Sequence, residues 1–222
     1  MRQAWLQLQR RYLAHKGVAE PLQSLLSGSL PGAGSHVDGI EFVALDIETT
    51  GLDAATADML SVGWVIVRKG RIALETAQTY LVQPSGDVGD SASVHGLTDT
   101  VVGAGDNWGV VLDKIVEVLR GRALLVHHAG LDKALLDRAC LQRYGARLLV
   151  PVVDTLAIEE RRQNRKHHLD SGGSLRLSDL RERYGLPRYA AHDCLVDAIA
   201  TAELLLAILA HSKVTTLREL TA

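Results

Sequence analysis

The sequence predicts an α/β fold: a mixed five-stranded sheet, an antiparallel hairpin plus parallel strands, flanked by helices. Three observations predict it. Apolar runs at 60–68 and 71–83 flank Lys69-Gly70, a turn signal, so they should pair as a hairpin. Residues 123–126 are a short continuous apolar run, as expected of a strand in a parallel region covered on both faces. Stretches with helical spacing separate and follow the later strands.

Each element has its own signal. Residues 1–27 read as two short helices. Trp5, Leu6, Leu8, Tyr12 and Leu13 give the first an apolar face, with Arg2, Arg10, Arg11 and Lys16 around it. Leu22, Leu25 and Leu26 continue the pattern after Pro21. This extension should pack on the main domain or on a partner. Residues 27–39, rich in Gly, Ser and Pro, read as a linker. The first strand spans 41–47, and the hairpin follows. Val111, Ile115, Val116 and Leu119 make 108–119 helical. After the strand at 123–126 comes a helix at 131–144, closed by Gly145, and a strand at 148–153. Residues 175–184 form a helix ending at Gly185, with Pro187 just beyond. The last long helix covers 192–211. The expected division is a helical extension and linker at 1–39, a main domain at 40–212 and a short tail at 213–222.

Composition narrows the class. With 222 residues and 47% apolar content, the chain can bury a sizeable core. No apolar run approaches the ~20 residues of a membrane span. The N-terminal segment is basic and has no apolar h-region, so it does not read as a signal peptide. Cys140 and Cys194 make no disulfide framework and are expected to be buried free thiols in a reducing cytoplasm. The net charge of −2 decides little by itself, although proteins that grip long duplexes are usually basic overall. A local basic run at 161–168 would suit an enzyme that holds only a few terminal nucleotides.

Chemistry concentrates in three blocks. Asp46-Ile47-Glu48-Thr49-Thr50-Gly51-Leu52 follows the apolar run 42–45. On a strand, residues i and i+2 point to one face, so Asp46 and Glu48 can reach one cation. Oxygen-only ligands suit Mg²⁺ or Mn²⁺, not zinc. Val126-His127-His128-Ala129-Gly130-Leu131-Asp132 follows a second apolar run. His192-Asp193-Cys194-Leu195-Val196-Asp197 opens the last helical pattern, with the His five residues before the second Asp.

In this order the blocks resemble the DnaQ-like (DEDDh) 3′–5′ exonucleases, whose motifs read D-x-E-T-T-G-L, H-N-A-x-F-D and H-x(4)-D. The resemblance covers roughly residues 41–210. Val94-His95-Gly96-Leu97-Thr98 looks like the family's H-G-I-T loop, and Val153-Asp154-Thr155 sits where the family has a D-T pair. The resemblance implies the ribonuclease H-like fold and two cations, Mg²⁺ or Mn²⁺, about 3.5–4 Å apart. It implies Asp46 as the bridge between them, Glu48 and Asp197 on the first, Asp132 on the second, and His192 as general base. Thr49, Thr50, Gly51 and Leu52 would meet the terminal nucleotide. Leu52 either wedges against its base or is a core leucine after a turn. His95 and Thr98 either approach that nucleotide or are surface-loop residues. Arg161, Arg162, Arg165 and Lys166 either touch phosphates or form a solvated helix end. His127 is read as structural rather than as part of a transition-metal site. Asp154 is read as a cap for a helix starting at Thr155, and Asp193 as exposed. Two positions depart from the motif: His128 replaces Asn, and Leu131 replaces a Phe that can stack on a base.

The expected activity is therefore metal-dependent 3′–5′ hydrolysis of single-stranded nucleic acid to nucleoside 5′-monophosphates. DNA is the preferred substrate, because the first and last blocks look closest to the proofreading branch of the family. Trimming of RNA 3′ ends is the alternative, and a non-catalytic binding module the third. A DNA polymerase is the candidate protein partner, and no membrane partner is expected.

Overall fold

A computed structural model describes residues 2–83, 105–166, 173–190 and 192–221. Five strands form one sheet: β1 (Phe42–Thr49), β2 (Met59–Arg68), β3 (Arg71–Leu81), β4 (Ala123–Val126) and β5 (Val152–Asp154), in the order β3-β2-β1-β4-β5. β1 pairs antiparallel with β2 and parallel with β4; β2–β3 is antiparallel and β4–β5 parallel. The ribonuclease H-like mixed sheet expected from the sequence is thus present. At the hairpin turn Lys69 and Gly70 both have positive φ, 51° and 66°, which matches the twist of the strands they join.

The helices are α1 (Arg2–Lys16), α2 (Leu22–Ser27), α3 (Trp108–Val118), α4 (Ala129–Tyr144), α5 (Thr155–Lys166), α6 (Leu177–Arg183), α7 (Cys194–Ala210) and α8 (Leu217–Thr221). Gly145 closes α4 at φ 73°. Among the described residues no helix is long and apolar enough to cross a membrane.

Strand alternation sorts the core into two layers. Val43, Leu45 and Ile47 of β1 join Val62, Trp64, Leu124 and Val126 on one face, covered by α2, α3 and α4. Phe42 and Ala44 join Val65, Val67 and Leu125 on the other, covered by α7 with Ile158, Leu180, Leu217 and Leu220. By the same alternation Asp46 and Glu48 face the α7 layer. Cys140 and Cys194 are buried free thiols.

Two expectations need correction. The strand expected at 148–153 pairs only over Val152–Asp154, because β4 offers partners only from Leu124 to Val126. Leu148 and Val150 are buried outside the paired segment. The face that α1 turns inward also differs from the apolar one read from the sequence. Trp5, Leu8 and Tyr12 are exposed, while Leu13 and Ala14 pack on the core and Arg10 is 2% exposed. The Arg10 guanidinium donates to the Leu25 and Gly28 carbonyls at 2.6 and 2.8 Å, so a charge satisfies carbonyls at the end of α2. Leu22, Leu25 and Leu26 of α2 belong to the first core layer.

Candidate active site

β1 delivers Asp46 and Glu48 to one face, and α7 delivers Asp197 onto it. The approach depends on Gly63, which pairs with Asp46 across β1 and β2. A Cβ at Gly63 would lie 2.4 Å from the Leu195 nitrogen and 2.6 Å from the Cys194 carbonyl carbon. A glycine on this strand lets the backbone of α7's first turn lie directly on the sheet. The carboxylate oxygens of Asp46, Glu48 and Asp197 consequently lie within 4.8 Å of one another.

The entry to α7 is fixed by its own polar groups. The exposed Asp193 is the N-cap: its carboxylate accepts from the Leu195 and Val196 amides at 3.0 and 3.1 Å. His192 has φ 71°, which turns the chain into the helix, and its amide donates to Asp197 Oδ2 at 3.0 Å. His192, Asp46 and Asp197 line one groove of about 550 Å³.

Asp132 sits in the first turn of α4 and is 5% exposed. It stands outside the close trio but within its field. Burial first, then the charges of Asp154 and Glu48, push its carboxyl up to about 8. Asp46 is held well above the usual carboxylate range by burial, then by Asp132, Glu48, Asp197 and Asp193. Burial also raises Asp197, against the opposing effect of His192. Buried acids that repel one another at this spacing form a set of hard oxygen donors that a divalent cation would relieve.

Asp154 and His127, the latter also lining the groove, hydrogen-bond to the backbone around the trio. The Asp154 carboxylate accepts from the amides of His128, Ala129, Leu156 and Ala157, capping α4 and α5 at once. His127 Nε2 donates to the Leu175 carbonyl at 3.0 Å, leaving Nδ1 to accept from Thr155 Oγ1 at 2.8 Å. Burial lowers the His127 pKa, which keeps this ring neutral. Among the described residues the one close group of three potential ligands is the carboxylate trio. His128 has φ 80°. Asn and His are among the few residue types that adopt this left-handed backbone readily, which accounts for His where the motif has Asn.

The segment after β1 is braced and presented. Thr49 Oγ1 donates to the Gly51 carbonyl at 2.6 Å, and Thr50 exchanges two hydrogen bonds with the Asp58 backbone. Leu52 is 91% exposed, so it is not a core leucine. Among the described residues of the basic run, Arg161, Arg162 and Arg165 do not line the carboxylate groove. Arg161 donates to the Leu220 carbonyl, Arg162 to Glu159 and the Tyr184 hydroxyl, and Arg165 to the Arg161 carbonyl. His95, Thr98, His167, His168 and the Lys166 side chain lie outside the described residues.

Sequence reasoning missed Gly63 beneath the first turn of α7, and groove residues that include Arg176, Arg188 and Tyr189. A lone glycine inside a strand pattern was the available signal for Gly63. No spacing rule pairs Arg176 with Arg188.

A model of the exonuclease family (RNase T) matches residues 43–205. The chain is 28% identical over 174 residues to a DNA polymerase III PolC-type protein of Thermotoga petrophila, covering 78% of this chain and 12% of that protein. It is 32% identical over 184 residues to a DNA polymerase III subunit epsilon-like protein of Rhodobacter capsulatus, covering 80% of this chain and 25% of that one. Its fold is similar to that of Escherichia coli exonuclease I, solved zinc-bound with single-stranded DNA, at TM-score 0.66 and 16% identity over 78% of this chain and 41% of that one.

Proposed function

This chain belongs to the exonuclease family, and from that premise we propose that it trims single-stranded DNA from the 3′ end, releasing nucleoside 5′-monophosphates. The observation that carries the reading is the groove in which Asp46, Asp197 and His192 meet, with Glu48 completing the carboxylate trio.

The donor set fits Mg²⁺ or Mn²⁺: two such ions would be held by Asp46, Glu48 and Asp197, with Asp132 serving the second. When bound, such cations offset the negative charge that builds on the phosphate and favour ionisation of the attacking water. His192 accepts the proton of that water at its imidazole. Its main-chain bond to Asp197 keeps it beside the carboxylates. Thr50, anchored to Asp58, holds the segment that carries Leu52 into solvent, where the side chain can meet the terminal base.

DNA is the proposed substrate because the relatives are named as DNA polymerase III proteins. The chain spans only 12% and 25% of their lengths, so a polymerase partner and a cytoplasmic setting are part of the proposal. The test is degradation of matched single-stranded DNA and RNA oligomers, labelled at the 5′ end, with Mg²⁺ and after chelation. A metal-dependent ladder shortening from the 3′ end, faster on DNA, is expected. Faster loss of RNA would make this an exoribonuclease. No loss of either would remove the enzymatic reading.

A further inference from the structure

The groove has a second wall, which the hydrolytic step does not need. Arg176 caps the start of α6, and Arg188 and Tyr189 follow its end, so α6 brings them to one side of the cleft that holds Asp46, His192 and Asp197. Tyr189 is 41% exposed yet fixed at two points. Its hydroxyl donates to Glu203 Oε1 at 3.0 Å, and its ring lies 4.4 Å from the guanidinium carbon of Arg181. Arg181 is itself 2% exposed. It donates to the Ala200 and Pro187 carbonyls at 2.8 and 2.9 Å and pairs with Glu203 Oε2 at 2.7 Å. The ring therefore rests on a buried, anchored cation and cannot collapse into the core. An aromatic ring held this way loses little freedom on binding, and bases of any sequence can stack on it. Arg176 and Arg188 flank it, both exposed. Arg188 pairs with Glu182 across a solvent-exposed contact, a partner weak enough to exchange for a phosphate.

We propose that Arg176, Arg188 and Tyr189 form a strand-holding subsite, with Tyr189 stacking on a base upstream of the scissile bond and the two arginines pairing with its neighbouring phosphates. The assignment rests on the exonuclease reading, since it takes the carboxylates as the position of the 3′ terminus. It places the grip in a wall separate from the loops that meet the terminal nucleotide. It also supplies an aromatic contact where the motif's stacking Phe is Leu131.

The experiment measures binding of 5′-fluorescein oligo-dT to the full chain by anisotropy, with Ca²⁺ in place of Mg²⁺ and the oligomer checked for integrity. Tyr189→Leu keeps apolar cover over Arg181 but removes the ring, and should weaken binding by about 5- to 150-fold. Tyr189→Phe should stay within about threefold of wild type. The loss should grow with strand length and be small for thymidine 5′-monophosphate used as a competitor, because a single nucleotide has no upstream base. Arg176→Gln and Arg188→Gln should each flatten the salt dependence of log affinity by up to about 0.7. Equal losses for thymidine 5′-monophosphate and oligomer in Tyr189→Leu would overturn the subsite and leave a structural tyrosine. So would unchanged oligomer affinity in all variants. Binding needs no hydrolysis, so failure of the wild type to degrade DNA in Mg²⁺ or Mn²⁺ would count separately, against the exonuclease reading.

Discussion

The amide of Leu195 lies where a side chain on Gly63 would begin, 2.4 Å from the position of its Cβ. Gly63 pairs with Asp46, and Leu195 is two residues before Asp197. One missing side chain thus sets the separation of two carboxylates that come from different layers. Gly63→Ala must displace backbone rather than a flexible side-chain tip, so α7 has to lift from β2. Overpacking of this kind costs ~1–3 kcal/mol of stability. A misplacement of about 1 Å can cost on the order of a hundredfold in rate. Gly63→Ala should therefore lose activity well beyond its loss of folded population, with weaker Mn²⁺ binding by titration calorimetry. Wild-type turnover would show that α7 does not need this close contact.

The four carboxylates should matter unequally to activity and to the metal-free fold. Asp46→Ala and Asp197→Ala should each lower turnover by about a hundredfold or more, because each removes charge that holds a cation. The same substitutions relieve repulsion among Asp46, Glu48, Asp132 and Asp197, so in chelator the variants should melt no lower than wild type. Near-normal hydrolysis by either variant would remove the trio from the mechanism.

Asp132 gives this repulsion a pH dependence. Its carboxyl is pushed up to about 8, above the value of an exposed aspartate, so the folded metal-free protein binds a proton that the unfolded chain releases. The stability this contributes is fully present in acid and is lost as the pH rises toward about 8. The slope is at most about 1.4 kcal/mol per pH unit for each such proton. Asp132→Asn should therefore raise the metal-free melting temperature near pH 8 and make little difference near pH 4. Mg²⁺ should stabilise the wild type more at the higher pH. A difference between variant and wild type that does not vary with pH would contradict this account.

The legible parts of the site were those written within one element. Asp46 and Glu48 share a face because a strand alternates. His192 and Asp197 meet because one enters and the other belongs to the same first helical turn. Asp154 could be read as a cap from its place before α5. What was not legible depends on partners distant in sequence. Gly63 matters only because α7 lands on it. Arg10 breaks the apolar face of α1 because the end of α2 offers it carbonyls. The bond from Arg161 to the Leu220 carbonyl joins residues far apart in the chain. Arg176 and Tyr189 reach one groove only after α6 folds back between them.

His192 is the remaining test of mechanism. Its amide is committed to Asp197 Oδ2, so replacing the side chain leaves that main-chain contact available. His192→Ala should therefore keep Mn²⁺ and oligonucleotide binding near wild type while slowing single-turnover hydrolysis by about 10²–10⁴-fold, the range for loss of a positioned base. An imidazole can accept a proton only when it is neutral, so wild-type activity should fall as the medium is acidified. The alanine variant should lose that limb, and whatever acid limb remains would belong to the coupled carboxylates. His192→Gln, which keeps a polar side chain but cannot serve as a base, should behave like alanine. If Gln restores both rate and pH profile, His192 positions the helix entry and another group takes the proton.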